Sequence, residues 1–296
     1  MRKAFMVAAL VISTALVPAS AFAWGFTGHR LIMRRAIELL PAEVKPFFIE
    51  HREEIVARAV DPDLWRNVGW EDDPNHFMDF GARELGEFPF TALPREYGAA
   101  LEKFGMATMK RNGLLPWRAS EIFGNLRRAF EGFARGSGFA ANDVVLFAPV
   151  LCHYMQDSHQ PLHATINYNG QLTGNEGIHS RFESDLIERF ESRLRIVPAA
   201  PTAVKNPRDF AFDTLLASYQ LVDEILKADT AAVAGKEVYD DDYFEKLFMG
   251  VRPILEKRLS ESITASAGII IGAWEAAGKP ALKLDGARTP QKVKKP

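Results

Sequence analysis

The stretch Ala141-Asn142-Asp143-Val144-Val145-Leu146-Phe147-Ala148-Pro149-Val150-Leu151-Cys152-His153-Tyr154-Met155-Gln156-Asp157-Ser158 reads as one helix, apolar along most of its length and polar at its end. Its apolar residues recur at helical spacing rather than alternating, and a run of this length is too long for an ordinary strand. At the polar end His153 and Asp157 stand four residues apart. On a helix that spacing stacks them on one face, about 6 Å apart along the axis. The continuation Ser158-His159-Gln160-Pro161-Leu162-His163 breaks at Pro161, which cannot extend the helix and can turn His163 back toward the same point.

Working outward, the same periodicity recurs over residues 27–40, stopped by Pro41, and over 42–60, 96–110, 118–133, 178–196, 209–226 and 242–276. No comparable set of alternating strands accompanies it. Gly136-Ser137-Gly138 and residues 167–177 and 199–207 read as breaks between helices, and no internal repeat is evident. The expected fold is all-α, a single multi-helix domain over residues 24–279. Before it, residues 1–23 read as a secretory signal: Arg2 and Lys3, an apolar run from Ala4 to Val17, then Ala21-Phe22-Ala23 as a cleavage site. Residues 280–296, rich in Lys and Pro, read as a disordered basic tail.

These readings make the expected product an exported protein, periplasmic or extracellular, with Trp24 as its new N-terminus. The apolar stretch from Ala265 to Trp274 is too short to span a bilayer and contains Gly268 and Gly272. The single cysteine, Cys152, excludes an intramolecular disulfide framework and reads as a buried thiol. A net charge of −2, which loses two further positive charges with the signal, argues against a general polyanion-binding surface. Nothing in the sequence calls for an obligate protein partner.

The chemistry concentrates on histidine and carboxylate. His179 and Glu183 repeat the four-residue spacing of His153 and Asp157. One such pair is ordinarily an exposed hydrogen-bonded pair. Clustering changes that reading, because His29, His76, His153, His163 and His179 all have acidic or N-terminal partners nearby. Imidazole with carboxylate and no thiolate is the ligand set of catalytic zinc. His51 and His159 read as a solvated helix residue and a turn residue beside the ligands.

Trp24 with His29, Asp61 in Ala59-Val60-Asp61-Pro62-Asp63, His76 in Asn75-His76-Phe77-Met78-Asp79, then His153, Asp157, His163, His179 and Glu183 follow one another in an order that resembles a known group. That group is the superfamily of zinc-dependent phospholipases C and single-strand-specific zinc nucleases. The resemblance runs from Trp24 to about Phe190 and implies three zinc ions. One falls to Asp61, His76, His153 and Asp157, a second to His163, His179 and Glu183. The third takes the Trp24 amine and carbonyl, His29, and Asp157 as a bridge to the first. Asp61 is preferred over Asp63 for its spacing to His76, with Asp63 the open alternative.

The resemblance further implies hydrolysis of a phosphodiester, in which a hydroxide held between ions attacks phosphorus in line, with Asp61, Asp157 and Glu183 carrying the catalytic metals. The short Trp24-to-His29 spacing and the wording from His159 to His163 resemble the nucleases. Glu183 and the short loop from His163 to His179 resemble the phospholipases. The favoured expectation is a phospholipase C-like enzyme acting on phospholipid. The alternative is a nuclease on single-stranded nucleic acid, with Phe77 as a base-stacking face. Asp79 is a candidate for orienting a ligand or substrate. Two further readings are a non-catalytic structural zinc protein and a membrane-surface contact through aromatics such as Phe88, Phe90 and Trp117.

Overall fold

The computed structural model describes residues 24–283, whose regular elements are all helices, with no strand among them. The signal expected over residues 1–23 lies outside the described residues. The helices are α1 (Gly25–Glu38), α2 (Lys45–Glu50), α3 (Arg52–Arg58), α4 (Asp61–Trp65), α5 (Tyr97–Asn112), α6 (Leu115–Ala134) and α7 (Ala140–Ser158). They continue with α8 (Ile178–Ser180), α9 (Leu186–Phe190), α10 (Pro207–Tyr219), α11 (Val222–Val233) and α12 (Asp241–Ala276). A π-helical turn, Arg181–Asp185, joins α8 to α9.

The apolar pattern explains the layering. Buried Leu115, Ala119, Ile122, Phe123, Leu126 and Phe130 form one face of α6, which packs along α7. The long α12 lies across α1, α6, α7 and α11 and is buried over most of its length, from Tyr243 to Trp274. With apolar neighbours on several sides, α7 is buried nearly throughout, and its His153 and Asp157 are carried inside the protein.

An extended strap over residues 194–206 runs beside α12. Arg195, Val197 and Ala199 donate backbone N–H groups to Glu256, Ser260 and Thr264, one helical turn apart. Two extended residues span about 6.5 Å and four helical residues about 6 Å, so the two registers match. The next turns are Gly268 and Gly272, where an added Cβ would meet Thr202 O at 2.5 Å and Val204 O at 2.0 Å. These glycines admit the strap.

Several expected helices are shorter. The run over 42–60 breaks at His51, whose backbone (φ −99°, ψ 15°) leaves the helical region, so α2 and α3 replace it. His51 packs on the Phe47 ring at 4.6 Å instead of standing in solvent. The run over 178–196 splits into α8, the π-helical turn and α9, and that over 209–226 splits between Tyr219 and Val222. The expected tail begins inside the packed structure: Pro280 O accepts from the Trp274 indole at 2.9 Å and Leu282 packs on the core. Residues 284–296 lie outside the described residues.

Candidate metal centre

Four helical segments, α1, α4, α7 and the α8 segment, and two loops converge on a buried set of donors. α7 supplies His153 and Asp157, both fully buried. Its end is closed by Gln160, whose side chain accepts from Leu162 N and starts a short 3-10 turn that carries His163 inward. α1 brings His29, and the α8 segment brings His179 and Glu183. An irregular stretch before α5 brings His76. The loop leading to His179 folds tightly at Gly170 (φ +74°), where an added Cβ would lie 2.5 Å from Asn175. The loop is held by Arg181, whose guanidinium reaches Asp229, Tyr243 Oη and the Asn175 and Glu176 carbonyls.

The donors fall into three buried groups that could hold metal ions: His29 with His153 and Asp157, Asp63 with His76 and His153, and His163 with His179 and Glu183. Asp157 joins the first two. Its Oδ1 faces His29 Nε2 at 3.4 Å, while its Oδ2 faces His76 Nδ1 at 3.0 Å and His153 Nε2 at 3.3 Å. One carboxylate with its two oxygens in two groups is the geometry of a bridge.

The imidazoles are oriented by their outer nitrogens. His153 Nδ1 donates to Ala59 O at 2.8 Å, His163 Nδ1 to His76 O at 2.6 Å, and His179 Nδ1 to Tyr168 O at 3.1 Å. His29 Nδ1 donates to the Gln156 side-chain oxygen. Each Nε2 is therefore left as an acceptor facing the centre. His76 is turned the other way round: Nε2 donates to Asp72 Oδ2 at 3.0 Å, and Nδ1 points inward. Lone pairs then face one another, His76 Nδ1 against His153 Nε2 at 3.0 Å and His163 Nε2 against His179 Nε2 at 3.1 Å. Two acceptors at that distance repel unless a proton or a cation lies between them. Among the described residues, buried His29 Nε2, Asp157 Oδ1 and Glu183 Oε1 find no hydrogen-bond donor. Such atoms are costly in a protein interior and fit a set of metal donors.

A proton can take the place of a cation at these contacts. Burial by itself would depress the His76 imidazole, but hydrogen bonds to Asp157 and Asp72 outweigh it and push the group up to about 10. Burial would raise Asp157, yet the surrounding histidines, His153 first, hold it well below the usual carboxylate range. His163 falls to about 3, chiefly through burial. Burial also lifts Asp79 to about 7 against the opposing charge of His179.

Of the expected ligands, His29, His76, His153, Asp157, His163, His179 and Glu183 are brought together. Asp61 is not. It lies half-buried at the start of α4, paired with Arg58 at 3.3 Å, whereas buried Asp63 stands 3.7 Å from both His76 Nδ1 and His153 Nε2. Two residues on a helix are about 200° apart, so only one of the pair can face the centre. Asp63, not Asp61, stands among the donors. Trp24 is fully buried at the head of α1, its indole N–H donating to Gln156 O at 2.7 Å and its carbonyl accepting from Gly28 N. It is outside the three side-chain groups. Phe77 is half-buried beside His76, and Asp79 is buried. His159 stays outside the groups, as expected of a turn residue.

Sequence reading missed Asp72, Gln156 and Gln160. Asp72 also accepts from Tyr154 Oη at 2.7 Å, and Gln160 donates to Glu183 Oε2 at 2.9 Å. The four-residue spacing of Asp72 and His76 was the available signal for the first. Of the aromatics considered for membrane contact, Phe88 is exposed, while Phe90 and Trp117 are buried in the core. No helix among the described residues is long and apolar enough to cross a membrane. Scanned against protein-family models and curated proteins, the chain matches none significantly.

Proposed function

We propose that the three donor groups bind zinc and that the protein is a phosphodiester hydrolase of the phospholipase C kind. The observation that carries this reading is the facing of imidazole lone pairs at 3.0 and 3.1 Å, with every outer nitrogen committed as a donor. A structural zinc site closes its coordination with four protein ligands, whereas the group of His163, His179 and Glu183 offers three side chains. Bound zinc supplies Lewis acidity and lowers the pKa of water from 15.7 to about 7, which suits attack on phosphorus near neutrality.

The protein's own groups supply the geometry. Asp157 spans two donor groups and fixes their separation. Gln160 holds one Glu183 oxygen by a hydrogen bond and leaves the other, Oε1, without a donor. Asp72 fixes the His76 ring so that Nδ1 faces inward. A Trp24 amine released by cleavage would add a ligand beside His29. Phospholipid is favoured as substrate because exposed apolar side chains, Ile166, Tyr168 and Leu172, occupy the loop whose Tyr168 carbonyl holds His179. An interfacial substrate suits such a rim.

The test is product release by the zinc-loaded chain beginning at Trp24, on phosphatidylcholine and on single-stranded RNA, each with and without chelator. Phosphocholine release abolished by chelator supports the reading. Chelator-sensitive release of nucleotides alone transfers the site to nucleic acid and makes Phe77 the stacking face. Inactivity on both defeats the hydrolase proposal.

A further inference from the structure

The segment between α4 and His76 carries three large apolar side chains in the open. Leu64, Val68 and Trp70 are 37%, 71% and 61% exposed, while the neighbouring Trp65 is half-buried against the core. Trp70 rests on Trp65 with ring centroids 5.3 Å apart, and its backbone N–H donates to Trp65 O at 3.2 Å, so the loop is braced with its apolar tip outward. Its two ends are set in the centre: α4 carries Asp63, and Asp72 holds the His76 ring. A second apolar patch lies on the loop from His163 to His179, where Ile166, Tyr168 and Leu172 are exposed. Ile166 and Tyr219 both reach Gly81, and exposed Phe88 stacks on the Tyr219 ring at 6.1 Å, which extends that patch.

Both patches border the open side of the donor set. His76, His163 and His179 keep 8%, 5% and 4% of their surface in solvent, whereas His29, His153, Asp157 and Glu183 keep none. The open edge is therefore the one formed where these two loops end. Charges beside the first loop are matched, Lys110 with Glu71 and Arg111 with Glu84, each at 2.7 Å. Single exposed apolar residues are ordinary on a protein surface, but several grouped about one opening mark an interaction surface. A tryptophan and a tyrosine on loops, with aliphatic side chains beside them and the adjoining charge balanced, fit the boundary of a zwitterionic bilayer, where an amphipathic ring sits at headgroup depth. A protein partner or a second copy calls for one continuous face, not two patches parted by a polar opening. We infer that the loops over 64–71 and 166–172 seat the protein on a zwitterionic phospholipid surface, with Trp70 and Val68 as the principal anchors and the donor set facing the headgroups. Docking in this orientation rests on the phospholipase reading of the centre, because it brings a phosphodiester to the opening.

The test reads bilayer binding and turnover separately on the zinc-loaded protein. Surface plasmon resonance on a supported phosphatidylcholine bilayer gives binding. Phosphocholine release from vesicles, and from dihexanoyl phosphatidylcholine below its micelle concentration, gives turnover. Trp70→Ser and Val68→Ser should each weaken bilayer binding, the former roughly tenfold, as reburial of an exposed indole warrants. Zinc content and turnover of the monomeric lipid should stay unchanged, and turnover of vesicles should fall in step with binding. Undiminished bilayer binding by both folded variants overturns the docking surface, and leaves the hydrolase reading standing where the monomeric lipid is cleaved. So does absence of wild-type binding, binding confined to anionic bilayers and abolished by salt, or a concentration-dependent dimer that Trp70→Ser dissolves. Bilayer binding that Trp70→Ser weakens, without cleavage of either lipid, upholds the docking surface and defeats the phospholipase reading alone.

Discussion

Replacing Asp72 with Asn tests whether the orientation of His76 is imposed from outside the donor groups. Asp72 Oδ2 accepts from both His76 Nε2 at 3.0 Å and Tyr154 Oη at 2.7 Å, and Oδ1 accepts from Asn75 Nδ2 at 2.8 Å. An amide has one oxygen to offer. If its NH₂ takes the Oδ2 place, it meets two donors, and His76 must move its proton to Nδ1 to accept instead. That removes the inward lone pair from the group it shares with Asp63 and His153. If the NH₂ takes the Oδ1 place, it meets the Asn75 amide and the Arg118 guanidinium, 3.6 Å away in the wild type. Loss of such an outer partner typically costs 10–100-fold in metal affinity, about 1.4–2.7 kcal/mol. With zinc at 100 times the wild-type Kd, one ion contributes about 2.7 kcal/mol of stability, and a hundredfold loss leaves about 0.4 kcal/mol. Competition against a chromogenic chelator reads the affinity, and thermal unfolding with and without zinc reads the linkage. Tyr154→Phe, which leaves the Asp72 contact to His76, is the control and should stay within about threefold. Equal zinc affinity in Asp72→Asn and wild type would refute the orienting role.

Asp63→Asn should lower bound zinc, whereas Asp61→Asn, which alters a partly exposed pair with Arg58, should keep full metal content and change stability by less than about 0.5 kcal/mol; mass-spectrometric metal analysis of both variants separates them. Asp157→Asn should weaken two ions where Glu183→Gln weakens one, so the former should lose the larger share of zinc on equilibrium dialysis, and equal losses would remove the bridge. Cys152, fully buried with its thiol pushed up by burial, should react with an aromatic disulfide reagent to less than about a tenth in folded protein at mildly alkaline pH and fully in denaturant. Rapid labelling of folded protein would show that α7 is open to solvent.

The helices were legible because an apolar face repeats with the turn of the helix, and the long, strongly patterned runs that became α6, α7 and α12 differ from expectation by three residues or fewer at either end. What failed was punctuation by ordinary residues. His51 interrupts a run with no Gly or Pro at the break, and its contact with Phe47, four residues earlier, is one that an unbroken helix would also make. The candidate donors on helices were legible for a related reason, since a four-residue spacing reports a shared face without reference to the rest of the chain. Asp61 and Asp63 could not be separated that way. Between them and His76 the chain is irregular, so no period carries orientation from one to the other. Gln156 was invisible because its side chain reaches His29, which lies 127 positions away in the chain.

The most direct measurement is the zinc stoichiometry of the chain beginning at Trp24, by equilibrium dialysis and mass-spectrometric metal analysis. The three donor groups lead to three ions per chain, lost stepwise to a strong chelator with the helical fold retained. A saturating value of one ion or none would contradict the account, because the facing imidazole pairs would then have to be held by protons alone.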